Sequence, residues 1–188
     1  MSINPMELLK QKVSSVIVSE QTSLMNEKNA VLSKFYPILL ARFLAKPELI
    51  EKLKDKLAPA VIDVVDQNPQ VKNALLIRLA GGQMSIAETE MILNRAIPKS
   101  LAALSNETGN NIFDLIQYLR QHDESINALL PVWTDEVLSP LTFIKLKHSK
   151  PIPVPEIMAK QQRNPPIFPL LAFVAVGFSL LWLYQLIR

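Results

Sequence analysis

The chain has 188 residues, no cysteine, two histidines and a formal net charge of +3. Without cysteine and with only two histidines, it lacks the ligands of a structural zinc site. Residues 1–144 carry 14 basic and 16 acidic side chains, a net charge of −2, whereas residues 145–188 carry 6 and 1, a net charge of +5. Because the basic charge belongs to the C-terminal segment and not to a folded nucleic-acid-binding face, we expect no nucleic-acid partner.

The first helix is predicted to begin after Asn4. Asn4 is a suitable N-cap, and Pro5 is tolerated in a first helical turn. Leu9, Val13 and Val16 then recur at the spacing of one buried helix face. Residues 1–18 lack the charged start, apolar middle and small-residue cleavage site of a secretory signal, so we expect the bulk of the chain not to be exported.

Proline, asparagine, serine and glycine divide the region from residue 47 to residue 138 into short predicted helices. Their expected first or capping residues, in chain order, are Pro47, Pro59, Asn68 with Pro69, Ser85 with Glu88, Asn110 or Asn111, Asp123 and Pro131. The helix after Pro47 is expected to bury a stripe of Leu49, Ile50, Leu53 and Leu57. Gly81 and Gly82 are expected to end the helix that Asn68 caps.

No segment alternates apolar and polar residues over the length of a strand, and the chain has four glycines. We therefore predict an all-α fold for residues 1–143, built as a bundle of about eight short helices.

A weak internal repeat relates residues 25–44 to residues 86–105 at an offset of 61. Its identical pairs are Glu27 with Glu88, Leu32 with Leu93, Pro37 with Pro98, Leu40 with Leu101 and Ala41 with Ala102. With one inserted residue, Ile50, Leu53 and Leu57 align with Ile112, Leu115 and Leu119. The pattern predicts two related units, each with a capped helix, a helix started by Pro37 or Pro98, and a further amphipathic helix. A chance likeness between amphipathic helices is the alternative.

The C-terminal segment has two parts. Residues 144–166 are basic and contain Pro151, Pro153 and Pro155, which favour extended polyproline geometry. We expect a linker there, although a ligand for an aromatic groove would have a similar sequence. Ile167 to Ile187 contains no charged residue, and a helix of that length covers about 30 Å, the thickness of a bilayer's hydrocarbon core. Residues 167–188 are predicted to form one C-terminal transmembrane helix, with a buried helix of a soluble core as the alternative.

Charge around this apolar segment predicts its orientation. Lys147, Lys150, Lys160 and Arg163 precede it, and Arg188 follows it. Because the side richer in Lys and Arg stays cytoplasmic, we expect a single-pass protein of the inner membrane whose N-terminal domain is cytoplasmic. The lipid bilayer is thus an expected partner.

Several of these stretches together resemble a known family. They are MELLKQKVSSVIVSE, VLSKFYPILLARFL and MSIAETEMILNRAIPKSLAAL, the last followed by the glycine-marked TGNNIFDLI. Over most of residues 6–138 the chain resembles the YidB-like family of bacterial proteins of unknown function. The resemblance implies a helical domain that in some members precedes a transmembrane helix and an OmpA-like peptidoglycan-binding domain, which is absent from this sequence. It implies no catalytic residue.

The candidate chemical groups are few. His122 is expected at a helix end beside Asp123 and Glu124, and His148 lies in the linker among lysines. Asp63 and Asp66 share a short predicted helix and are interpreted as a solvated face. Gly81-Gly82 lacks the Lys-Ser/Thr of a phosphate-binding loop and is interpreted as a helix end.

No catalytic, cofactor-binding or metal-ligating residue is predicted, and no cofactor is expected. We predict a non-enzymatic, membrane-anchored scaffold or regulatory protein that holds a protein partner at the inner membrane. A membrane-active or immunity-type protein, or an organellar tail-anchored regulator, is the alternative. An enzyme is a third class, because enzymes show a convergent polar set that this sequence lacks. The sequence leaves the partner, the biological process and the oligomeric state open.

Overall fold

A computed structural model describes residues 3–19 and 24–141, which fall within one compact unit. Its α-helices, in chain order, are α1 (Pro5–Leu9), α2 (Ser15–Ser19), α3 (Met25–Ala45), α4 (Glu48–Lys54), α5 (Val61–Val64), α6 (Pro69–Ala80), α7 (Ile86–Thr108), α8 (Ile112–Gln121), α9 (Asp123–Ala128) and α10 (Thr134–Leu138). A π-helical turn, Lys10–Ser14, joins α1 to α2 without a break. The described residues contain no strand, which confirms the all-α prediction for this part of the chain. They form ten α-helices instead of about eight, and α3 and α7, with 21 and 23 residues, are not short.

The first helical run is capped as predicted, but its buried face differs. The Asn4 side chain accepts a hydrogen bond of 2.9 Å from the Met6 N–H. Leu9 and Val13 are buried, whereas Val16 is 40% exposed and Ile17 takes its place in the core. The π-helical turn explains the difference, because its wider turns place residues four apart on one line. The prediction for Val16 was wrong because it assumed a regular α-helix.

Two long helices form the centre of the domain, and each contains a proline. Pro37 lies inside α3 and Pro98 lies inside α7, so the predicted breaks at these prolines are wrong. A proline inside a helix costs about 3 kcal/mol. Tertiary burial offsets that cost, because every residue from Phe35 to Phe43 is buried and α3 packs against seven other helices.

The two long helices also correspond in position. Met25 and Ile86, their first residues, are separated by the same offset of 61 that relates Pro37 to Pro98. Leu40 and Leu101 are both buried, as the alignment predicts, but the continued register fails at Leu57 and Leu119, because Leu57 is fully exposed and Leu119 is buried. The helix starts differ in chemistry, because Ser85 caps α7 whereas Leu24 gives α3 no side-chain cap.

The elements after the two prolines at 47 and 59 are shorter than predicted. Helix α4 ends at Lys54, and Leu57 lies beyond it with its side chain fully exposed, so its predicted place in a buried stripe is wrong. Pro59 disfavours helical geometry at the residue before it, which helps to explain why α4 does not continue. Helix α5 begins at Val61, two residues later than predicted, and α10 begins at Thr134 instead of following Pro131 directly.

The capping signals of α6, α7 and α8 are placed as predicted, whereas Asp123, expected as a cap, is the first residue of α9, whose N-cap His122 gives no side-chain hydrogen bond. Asn68 caps α6, and Gly81 ends it at φ +56°, a left-handed conformation that glycine adopts readily. Ser85 and Glu88 form the capping box of α7, with 3.1 Å from the Glu88 N–H to the Ser85 hydroxyl. Of the two candidates for α8, Asn111 is the cap and accepts from the Phe113 N–H at 3.0 Å.

The predicted linker and transmembrane helix, residues 144–188, lie outside the described residues. Among the helices that are described, none combines the length and the apolar composition needed to cross a membrane.

Candidate functional site: an interaction surface on α7

Among the described residues, Arg42 in α3 has the most deeply buried charged side chain. Its side chain has no exposed surface. Nε donates to the Val64 carbonyl oxygen at 3.0 Å, and Nη2 donates to Oδ2 of Asp66 at 2.6 Å. The remaining nitrogen, Nη1, is buried without a hydrogen-bond partner among the described residues. This group holds the end of α5 against α3, because one guanidinium contacts both the backbone and the acid that follows α5.

Asp66 reaches this position through an irregular turn. Asp66 and Gln67 have φ values of 54° and 60°, in the left-handed region. The turn presents the Asp66 carboxylate to Arg42 and to Lys46, whose Nζ lies 2.6 Å from Oδ1. Burial alone would raise the pKa of Asp66, but hydrogen bonds from Lys46 and Arg42 outweigh it and hold the pKa below the usual value.

The Asp63 carboxylate also forms hydrogen bonds with other protein groups. Its carboxylate accepts from Lys56, from the Ala60 N–H at 2.9 Å and from the Gln67 side chain. These bonds outweigh the effect of burial and lower the pKa of Asp63. The interpretation of Asp63 and Asp66 as one solvated helix face is therefore wrong in its geometry, because α5 ends at Val64 and each carboxylate anchors a separate contact, although Asp66 remains exposed.

The remaining predicted groups serve the fold where the structure describes them. His122 joins α8 to α9, its Nδ1 lies 3.0 Å from the Tyr118 carbonyl oxygen, and its ring meets the Tyr118 ring edge-on at 5.2 Å. Gly81 ends α6, and His148 lies outside the described residues. Within residues 3–19 and 24–141, no group of three or more His, Cys, Asp or Glu side chains could hold a metal ion.

The outer face of α7 carries two neighbouring grooves. The first groove has a volume of about 370 Å³ and lies between α7 and the segment after α4, with Lys54, Lys56 and Leu57 among its lining residues. The second groove has a volume of about 420 Å³ and lies between α7 and the N-terminal helical run, with Lys12, Val16 and Lys99 among its lining residues. Both grooves share Ala102 and Asn106.

Pro98, Ala102 and Asn106 are exposed at four-residue intervals, and we call them the α7 ridge. Helical spacing explains the alignment, because residues four apart lie on one face. The ridge separates the two grooves and carries no charged side chain. It is therefore a narrow neutral strip with lysines on both sides.

A third groove, of about 520 Å³, lies between α6 and α10. Val71, Ala74 and Val137 contribute apolar surface, and Arg78 and Glu136 form an exposed ion pair of 3.3 Å across it. Because this pair joins the two helices at the surface and is open to solvent, it contributes little stability.

The comparisons with known proteins return nothing: no protein-family model matches the chain, and neither curated proteins nor solved structures give a match.

Sequence reasoning missed both the buried Arg42 and the grooves. Arg42 follows five apolar residues, Pro37 to Ala41, within a segment that is apolar on all sides, and this pattern could have indicated a buried guanidinium that needs an acid. The grooves join residues that are distant in sequence, so no local pattern indicates them.

Proposed function

We propose that the chain is a non-enzymatic scaffold or regulatory protein, resembling the YidB-like family, that presents its helical domain to a protein partner at the cytoplasmic face of an inner membrane. In this proposal the two related units centred on α3 and α7 form the domain, residues 144–166 are a basic spacer, and residues 167–188 are the anchor. The observation that carries the proposal is the uncharged stretch from Ile167 to Ile187, which follows a domain whose core is built from residues between Met6 and Leu141.

Tethering explains why an anchor and a spacer would accompany an interaction domain. A membrane anchor raises the local concentration of the domain against a membrane partner, so a weak affinity can be sufficient. Attraction between the basic spacer and anionic headgroups adds to this effect.

Deleting Ile167 to Arg188 tests the tether. We expect deletion to abolish any cellular phenotype that the full chain rescues, and replacement by an unrelated single transmembrane segment to restore it. Rescue by the untethered domain at ordinary expression would refute the proposal. Failure of the unrelated segment would show specific contacts within the span, with Gly177 and Ser179, which lie outside the described residues, as the first positions to substitute.

Topology has a separate test. Protease added to intact spheroplasts should leave the helical domain uncut if it is cytoplasmic. Complete digestion would reverse the orientation. Release of a trapped dye from liposomes by the purified chain would instead favour the membrane-active alternative.

Separability of the domain is the third test. The described core residues all precede residue 143, so residues 1–143 should be soluble, helical by circular dichroism and cooperative in melting. A fragment that aggregates without a thermal transition would show that later residues or a partner complete the core.

A further inference from the structure

We propose that the α7 ridge and its two flanking grooves bind an acidic amphipathic helix of a protein partner. This inference rests on the proposed function, because it names the surface and the partner chemistry through which the anchored domain would act.

The shape of the surface suits a helix. Ala102 and Asn106 are shared by the two grooves, so the grooves lie side by side along α7. An α-helix with its side chains is about 10–12 Å across, and a helix laid along a ridge projects side chains to both sides. The methyl group of Ala102 allows the partner backbone to approach closely, while the grooves receive the side chains on either side.

The charge of the surface selects an acidic partner. Lys54 and Lys56 line the first groove, Lys12 and Lys99 line the second, and Glu107 is the one acidic residue among the two linings. This local excess contrasts with the net charge of −2 for residues 1–144. Lys56 forms an ion pair with Asp63, so the excess positive charge rests on Lys12, Lys54 and Lys99; Lys54 donates to the Asn110 carbonyl oxygen at 3.4 Å. Each ammonium group has three donors, so both lysines retain hydrogen-bonding capacity for a carboxylate.

Apolar side chains complete the match. Leu57 is fully exposed in the first groove, and Val16 is 40% exposed in the second. A helix with an apolar stripe over the ridge and carboxylates at its edges would cover both side chains and meet the lysines.

Two other classes of partner fit less well. A bilayer surface is flat, whereas these grooves are concave with volumes of about 370 and 420 Å³. Nucleic-acid surfaces commonly combine basic residues with arginine forks or aromatic stacking platforms, and neither groove is lined by arginine or by an aromatic residue.

Photo-crosslinking in cells tests the partner class with the full, membrane-anchored chain. A photoreactive amino acid is placed at Ala102, with Lys52 as the control position, because Lys52 is exposed on α4 and lines neither groove. We expect Ala102 to crosslink a segment of another protein whose sequence is net negative and has helical apolar periodicity. A crosslink to lipid, to nucleic acid, to a second copy of this chain or to a segment without acidic residues would overturn the proposal, and so would equal crosslinking from Lys52.

A binding measurement tests the charge argument. The full chain in uncharged detergent micelles is titrated with a labelled 18-residue amphipathic peptide, about five helical turns, that carries glutamate beside a Leu/Ala stripe. The reference peptide has glutamine in place of glutamate. We expect the glutamate peptide to bind at least about tenfold more tightly at low salt, with the difference shrinking as salt is raised. Equal binding of the two peptides would overturn the proposal.

Matched charge reversals locate the binding. The double variant Lys54→Glu/Lys99→Glu should weaken binding of the glutamate peptide at least about tenfold, whereas Lys34→Glu/Lys52→Glu, at exposed positions outside the groove linings, should retain it. Circular dichroism melting must show that both variants fold. Equal loss in both would indicate general attraction to the protein's charge and would overturn the proposal. If only these tests fail while the anchor remains essential, the surface assignment fails and the tethering function stands.

Discussion

Arg42 and Asp66 form an ion pair of 2.6 Å between a guanidinium with no exposed surface and a carboxylate that is 28% exposed. The pair joins the last turns of α3 to the irregular turn after α5, across 24 positions of sequence. A buried guanidinium that loses its acid keeps the cost of leaving water and loses the compensating attraction.

The first prediction concerns this pair. We expect Asp66→Ala to lower the free energy of unfolding by about 2 kcal/mol, less than the ~3–5 kcal/mol of a wholly buried pair because water reaches Asp66. Urea unfolding followed by circular dichroism measures the change. Asp55→Ala, at an exposed position, is the control and should stay within about 0.5 kcal/mol. The double variant Arg42→Met/Asp66→Ala should be more stable than Asp66→Ala alone, and a further loss in the double variant would contradict this account.

Acid unfolding provides the second prediction. The pKa values of Asp63 and Asp66 are held below normal in the folded protein. Their contribution to stability is therefore complete above the unfolded-state pKa of about 3.9 and is lost as the pH falls through the lower folded-state values. Asp63→Asn/Asp66→Asn should flatten the dependence of the unfolding free energy on pH below about 4. An unchanged slope would show that other carboxylates control acid unfolding.

The third prediction separates a π-helical turn from a regular helix. Ile17 is buried and Val16 is 40% exposed. Ile17→Ala should lower the unfolding free energy by about 2–4 kcal/mol through the cavity it leaves, whereas Val16→Ala should cost less than about 1 kcal/mol. The reverse order would mean that the first run is a regular α-helix with Val16 inside.

The fourth prediction compares leucines inside and outside the hydrophobic core. Leu40 in α3 has no exposed surface, and Leu57 is fully exposed. Leu40→Ala should cost about 2–5 kcal/mol, and Leu57→Ala should stay within about 0.5 kcal/mol. Leu101→Ala should fall between them, because Leu101 lines the first groove and its neighbours can relax into that space. A cost below about 1 kcal/mol at both Leu40 and Leu101 would place both leucines at the surface.

Alkaline titration provides the fifth prediction. Burial raises the pKa of Tyr36 to about 12, although the 2.9 Å hydrogen bond to the Ser14 hydroxyl acts in the opposite direction. Burial, with a smaller effect of Glu107, raises the pKa of Tyr118 to about 12 as well. Their contribution to stability is complete below the unfolded-state pKa of about 10 and is lost as the pH rises toward 12. Tyr36→Phe/Tyr118→Phe should remove much of the alkaline loss, and phenolate absorbance at ordinary pH in the folded wild type would contradict these values.

Local signals in the sequence correctly predicted the starts of four helical segments. Asn4, Asn68, Ser85 and Asn111 cap helices because their side chains reach backbone N–H groups only two or three residues away. Such contacts depend on a few neighbouring residues, so the sequence contains the required information.

Features that depend on long-range packing could not be predicted from the sequence. Pro37 and Pro98 looked like helix starts, but burial of α3 and α7 maintains each helix through its proline. The two grooves could not be predicted from the sequence either, because Lys12, Lys54 and Lys99 come together at α7 only after three separate segments have packed.

One long-range hydrogen bond limits how early the domain can finish folding while the chain is being synthesised. The Tyr118 hydroxyl donates to the Ile3 carbonyl oxygen, and these residues are 115 positions apart. At a synthesis rate of about 5–20 residues per second, Tyr118 is synthesised roughly 6–23 s after Ile3, so this hydrogen bond cannot form before then. The N-terminal helical run also packs against α7, whose last residue is Thr108. The domain is therefore expected to complete its folding late, so the apolar face of the first run needs protection for most of the time that the ribosome spends on the chain.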